Sequence, residues 1–167
     1  MLDPNLIDTI TFTREQQQCS GEVRLQALNR RVWSHELLVK RDAVIQFQAR
    51  GGTDRWQRPF INVSVKGELQ LICQRCLQAV SWTLSDQSHV VLFADEQSLD
   101  EAMVADEALE GILWQEQFNL VSLIEDQILM AIPVAPRHSD CDHVLATSTN
   151  QASDNPFAKL VGLKSGR

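Results

Sequence analysis

The stretch "INVSVKGELQLICQRCLQAVSWTLS", residues 61–85, constrains this chain more than any other. Ile61, Val63, Val65, Leu69 and Leu71 fall on one side of an extended backbone, and Asn62, Ser64, Lys66, Glu68 and Gln70 on the other. A period of two with one apolar side is the pattern of a half-buried strand. Gly67 interrupts the apolar row and is expected to mark a bulge. After the cysteines, Val80, Trp82 and Leu84 alternate with Ser81, Thr83 and Ser85, and "HVVLFA" (89–94) is expected to prolong that strand. Two such strands joined at "CQRCLQ" predict an antiparallel hairpin with a Cys-x-x-Cys pair in its turn.

Flanking segments supply the rest of the fold. Asp3 followed by Pro4 predicts a short helix at the start of the chain. The spacing of Leu25, Leu28, Val32 and Trp33 predicts another after Gly21. Ala43, Ile45, Phe47 and Ala49 alternate as a strand that Gly51-Gly52 is expected to close as a turn. In "NLVSLIEDQILMAIP" (119–133), Leu120, Leu123, Ile124, Ile128 and Ala131 form one helical stripe, with Asn119 as N-cap and Pro133 as the stop. The expected class is therefore α+β: an antiparallel sheet with a Cys-x-x-Cys hairpin, backed by a helix from the C-terminal half and by short N-terminal helices. One domain is expected over 1–145. Residues 146–167 are expected to be a flexible tail ending in a short amphipathic segment, "NPFAKLVGLK".

Charge narrows the function classes. The net charge is −7, but residues 1–76 carry 11 Lys/Arg against 8 Asp/Glu, and residues 77–167 carry 4 against 14. Asp86 to Glu116 holds nine acids and no base, so 94–111 is expected to be an exposed, mobile, solvated loop. General polyanion binding does not suit such a balance. Phosphate contact requires the early cations to form a face apart from the later anions. The N-terminus lacks a basic start and apolar core, and the longest apolar run, "ILMAIPVA", is far short of the ~20 residues that span a bilayer. A cytoplasmic protein without membrane contact is expected.

No motif recommends an enzyme. There is no Gly-x-Ser-x-Gly elbow, phosphate-cradling glycine loop or His-Glu-x-x-His pair. Glu125 and Asp126 are adjacent on a helix and point about 100° apart, so they cannot share a proton as a dyad; they are expected on its hydrophilic flank. The thiols are the remaining chemistry. A redox pair favours a helix N-terminus, and strand patterns flank this one, although Arg75 could assist a thiolate. Zinc at Cys73, Cys76, His138 and Cys141, with His143 as a substitute ligand, and reduced structural thiols stand as level alternatives ahead of redox chemistry. Cys19 is expected to be a free thiol, and His35 and His89 ordinary surface or strand residues.

Taken in order, "LICQRCLQAV", an acidic stretch, "NLVSLIEDQILMAIPVAPRHSDC" and "NPFAKLVGLK" resemble the YceD family of large ribosomal RNA subunit accumulation proteins. The resemblance implies a role in synthesis, processing or stability of 23S rRNA and brings no catalytic residue; a non-catalytic factor with no small-molecule substrate is expected. Some members carry further cysteines after the helix, where this chain has one cysteine and two histidines. For direct contact with large-subunit rRNA or its precursor particle, the candidates are Lys66, Arg75, Arg55 and Arg58. Trp56 and Trp82 are the candidate stacking rings, Trp82 fitting the core face better. The alternative is an acidic adaptor that holds a ribosomal protein or assembly enzyme without touching RNA. Its partner-binding candidates are Asn155, Pro156, Phe157 and Leu160.

Overall fold

The computed structural model describes residues 6–141. Chain order runs β1 (Ile7–Asp8), α1 (Thr9–Arg14), β2 (Gln18–Arg24), a 3-10 turn at Leu25–Ala27, α2 (Arg30–Trp33), β3 (Val44–Thr53), β4 (Pro59–Ile72) and β5 (Ala79–Phe93). Then come α3 (Glu96–Ala105), β6 (Glu110–Leu113), β7 (Gln117–Phe118) and α4 (Leu120–Ala131). Strands β2-β3-β4-β5-β6 form one sheet, antiparallel except for the parallel β5–β6 pair, and β1 pairs with β7 as a separate ribbon.

The α+β class and the Cys-x-x-Cys hairpin are as expected from the alternating pattern. Ile61, Val63, Val65, Leu69 and Leu71 are buried in β4, and Val80 and Leu84 in β5. Leu120, Ile124 and Ile128 of α4 cover them, while Phe12 of α1 covers β3. Asn119 caps α4 through its side-chain oxygen, which accepts from the N–H groups of Val121 and Ser122. Trp82 is half-buried against this core.

Several local expectations are corrected. Gly67 is no bulge: pairing runs through it without a break, to Ile45 on one side and Leu84 on the other. A Cβ there would come within 2.6 Å of the Ile45 Cδ1, so the missing side chain is the space that Ile45 occupies. Gly51 and Gly52 are no turn either. They lie inside β3, where Phe12 and Phe60 press on them. The turn comes later, where the Asp54 carboxylate accepts from the N–H groups of Trp56 and Arg58 at 2.8 Å each. The helix expected after Gly21 is replaced by β2, the 3-10 turn and the single turn of α2, because pairing with β3 captures residues 18–24.

The acidic stretch 94–111 is not a loop: it holds α3 and the first half of β6. Asp95 caps α3 by accepting from Ser98 N at 2.8 Å, and Gln97 donates to Glu101 at 2.9 Å one turn on. No residue of α3 is buried, so its exposure is as expected. The helix proposed at Asp3-Pro4 and the tail 146–167 lie outside the described residues. No helix among the described residues is long and apolar enough to cross a membrane.

Candidate functional site

The turn between β4 and β5 meets the chain end that follows α4. Its backbone closes tightly: Cys73 N–H donates to Gln78 O at 2.8 Å, Leu77 N–H donates to Cys73 O at 2.9 Å, and Leu77 takes a left-handed φ of 61°. Gln74 N–H donates to Pro136 O at 2.8 Å and clasps the two segments together. The donor atoms of Cys73, Cys76, His138 and Cys141 consequently lie within 4.8 Å of one another. His143, the substitute ligand, lies outside the described residues.

Two edges of this cluster are informative. Cys73 Sγ is 3.8 Å from Cys141 Sγ, and Cys76 Sγ is 3.5 Å from His138 Nδ1. Metal–sulfur bonds of about 2.3 Å and metal–nitrogen bonds of about 2.0 Å at tetrahedral angles place sulfurs about 3.8 Å apart, and sulfur and nitrogen about 3.5 Å apart. His138 Nε2 lies 3.0 Å from the Ala79 carbonyl oxygen, which only an N–H can satisfy. In the neutral ring Nδ1 then keeps a lone pair facing the sulfurs, and the bond to Ala79 holds the ring in place as outer partners of metal-bound histidines do. Three thiols and an imidazole so arranged could hold one metal ion.

Electrostatics at the site favour charge on one sulfur. Burial alone would raise the Cys73 thiol, but N–H groups of Cys76, Arg75 and His138 donate to it and bring it down to about 5. Cys141 is pushed up to about 11, first by its bond to Cys76 and then by burial. His138 is raised, chiefly by its bond to Cys73. A redox dithiol at a helix N-terminus is not what these strands build. Cys19 is half-buried in β2 with its thiol raised by burial, while half-buried His35 and exposed His89 make ordinary hydrogen bonds.

The cation candidates do not converge. Arg55 and Arg58 stand over the exposed Trp56 ring, 3.8 and 4.6 Å from its centroid, in the β3–β4 turn. Arg75 sits in the β4–β5 turn, the full 14-residue length of β4 away, and Lys66 lies between them on the solvent side. Nor do the halves of the chain separate by sign. Arg58 pairs with Asp54 at 2.8 Å and shares a hollow with Asp106 and Glu110, while Arg31 pairs with Asp126 at 2.6 Å and Glu125 at 3.1 Å. Packing of α2 beside α4 joins early cations to late anions.

Glu125 is also corrected. It is only 6% exposed, not on a hydrophilic flank, and accepts from Asn29 N–H at 2.7 Å. A Glu beside an Asp on an apolar helix was the available signal, but its target is unreadable without the fold. Asn155, Pro156, Phe157 and Leu160 lie outside the described residues.

Comparison with known proteins adds a family. The model of "Large ribosomal RNA subunit accumulation protein YceD" matches residues 61–164, more than half of the chain. The large ribosomal RNA subunit accumulation protein YceD of Haemophilus influenzae is 29% identical over 118 residues. That match covers 61% of this chain and 66% of the relative, so the chain spans just under two-thirds of that protein's length. No solved structure matches the chain.

Proposed function

The chain belongs to the YceD family of large ribosomal RNA subunit accumulation proteins, and from that premise we propose that it supports accumulation of 23S rRNA without catalysing a reaction. The family match over 61–164 carries this reading, because it takes in both halves of the cysteine–histidine cluster. The chain works in the cytoplasm on the large-subunit rRNA or its precursor particle. Zinc is the metal that Cys73, Cys76, His138 and Cys141 suit, since three thiolates and a neutral imidazole form a closed tetrahedral shell. Four protein donors leave no position for substrate, and such sites are structural. Zinc here would fasten the β4–β5 turn to the segment after α4.

Deleting the gene in the source cells and restoring it on a plasmid tests the reading. Large-subunit rRNA, measured against small-subunit rRNA, should fall on deletion and recover with the wild-type gene; an unchanged ratio overturns it.

One observation favours a second reading. The acids of α3 are exposed while Arg31 and Arg58 are held by carboxylates, so an acidic escort for a basic ribosomal protein fits this surface. In-cell crosslinking separates the two: rRNA attached to the chain supports the first, and a ribosomal protein without RNA supports the second.

A further inference from the structure

Opposite α1 and α4, the sheet presents polar side chains in cross-strand rows. Gln48, Ser64 and Gln87 share one row of β3, β4 and β5. The neighbouring row on one side holds Arg50, Asn62 and His89, and the row on the other side holds Lys66. Two hollows of about 450 and 490 Å³ adjoin along these rows, and Gln48 and Ser64 line both.

We propose that this face docks a single-stranded segment of large-subunit rRNA, with Arg50 and Lys66 on backbone phosphates, the Gln48–Ser64–Gln87 row on base edges and His89 as a stacking ring. The proposal rests on the family reading above and names the surface through which it acts. Charge supports it first. Arg50 and Lys66 are exposed, and neither pairs with a carboxylate among the described residues, unlike Arg31 and Arg58. The first hollow is lined by Arg50 and by no carboxylate, on a chain of net charge −7. In the second, Glu22 shares the row of Lys66, but Gln46 stands between them and its amide donates to the Glu22 carboxylate at 3.1 Å.

Spacing and chemistry agree with a strand of nucleotides. The Arg50 and Lys66 rows are four residues apart, about 13 Å along the strands, enough for more than one nucleotide between the cations. Amides both donate and accept, which suits the exposed edges of unpaired bases. The His89 ring lies 4.5 Å from the Phe60 ring, centroid to centroid, with its Nδ1 2.6 Å from Asn62 Oδ1, so it is held at the surface for a base to stack on. No exposed large hydrophobic side chain among the described residues lies in these three rows, which removes the anchor a protein partner would bury.

Fluorescence anisotropy on the full chain tests this, with a labelled single-stranded RNA of about a dozen nucleotides taken from 23S rRNA. Wild type should bind, and added salt should weaken binding with a logarithmic slope of about −0.7 per phosphate contact. The double variant Arg50→Ala/Lys66→Ala should bind at least about tenfold more weakly, with the slope shallower by about 1.4. His89→Ala and Gln48→Ala should weaken binding at unchanged salt slope. Equal melting temperatures guard against a folding defect. Absence of salt-dependent binding by wild type, or full binding by the double variant, overturns the proposal. Restoration of rRNA in deleted cells separates the two levels. If wild type fails to restore it, the family reading falls; if the double variant restores it fully, only this surface does.

Discussion

The main-chain N–H of Asn29 donates to Glu125 Oε1 across 2.7 Å, joining residues 96 apart in the chain. Asn29 is the N-cap of α2, and the same carboxylate takes Arg31 Nη2 at 3.1 Å on its other oxygen. A single buried acid thus fastens the N-terminus of one helix to the flank of another. Truncating it leaves the Asn29 N–H without its protein acceptor and Arg31 with Asp126 alone.

Glu125→Ala is therefore expected to destabilise by about 1–3 kcal/mol in urea unfolding. Glu125→Gln, which keeps an acceptor for Asn29, should cost about half as much. Arg31→Ala, at a side chain 44% exposed, should cost about 1 kcal/mol or less. Equal losses for all three would mean that the bond to Asn29 is unimportant.

Protein purified without chelator should carry one zinc per chain by elemental analysis. His138→Ala and Cys141→Ser should each lower that content, and chelation of wild type should lower its melting temperature. A chelated protein with an unaltered melt would show that the clasp between Gln74 and Pro136 holds the turn without metal.

In metal-free protein, one thiolate should persist down to about pH 5, the value for Cys73, while Cys141 stays protonated until about 11. A folded value below the unfolded one makes the Cys73 thiolate stabilising fully above about pH 9, with that contribution lost as pH falls towards 5. Cys141 runs the other way: its raised value favours the fold at low pH, and the contribution is lost as pH rises through about 11. Thiolate absorbance in the ultraviolet, followed with pH, measures both. A single step near the ordinary thiol value would refute the hydrogen-bonding argument for Cys73.

Gly67→Ala should destabilise by about 1–3 kcal/mol, because its Cβ would meet Ile45 Cδ1 at 2.6 Å. Ile45→Val removes that methyl group at a cost of about 1 kcal/mol on its own. Together the two substitutions should cost less than their sum, and a double-mutant cycle reads the difference. Strict additivity would place the clash elsewhere, for instance on Val44 O at 3.0 Å.

Much of this protein was legible in order along the chain. Alternation from Ile61 to Leu84 determined two paired strands and which sides of them are buried, because an extended backbone sends successive side chains to opposite faces. The Asn119 cap and the Leu120–Ile128 stripe determined α4, and the two short Cys/His spacings singled out the four donors that converge. Local pattern misjudged the segments whose structure depends on distant partners. Residues 18–24 became a strand because β3 offered its edge, and the acids after Phe93 formed a helix through Asp95 and Ser98. Charge read as halves of the chain did not survive packing of α2 against α4, and Glu125 left the polar flank because Asn29 presented an N–H there. The rows of Arg50, Gln48 and Lys66 belong to register alone. Periodicity is a property of each strand, whereas neighbours across a sheet are chosen by how strands slide into pairing, and only the folded chain decides that.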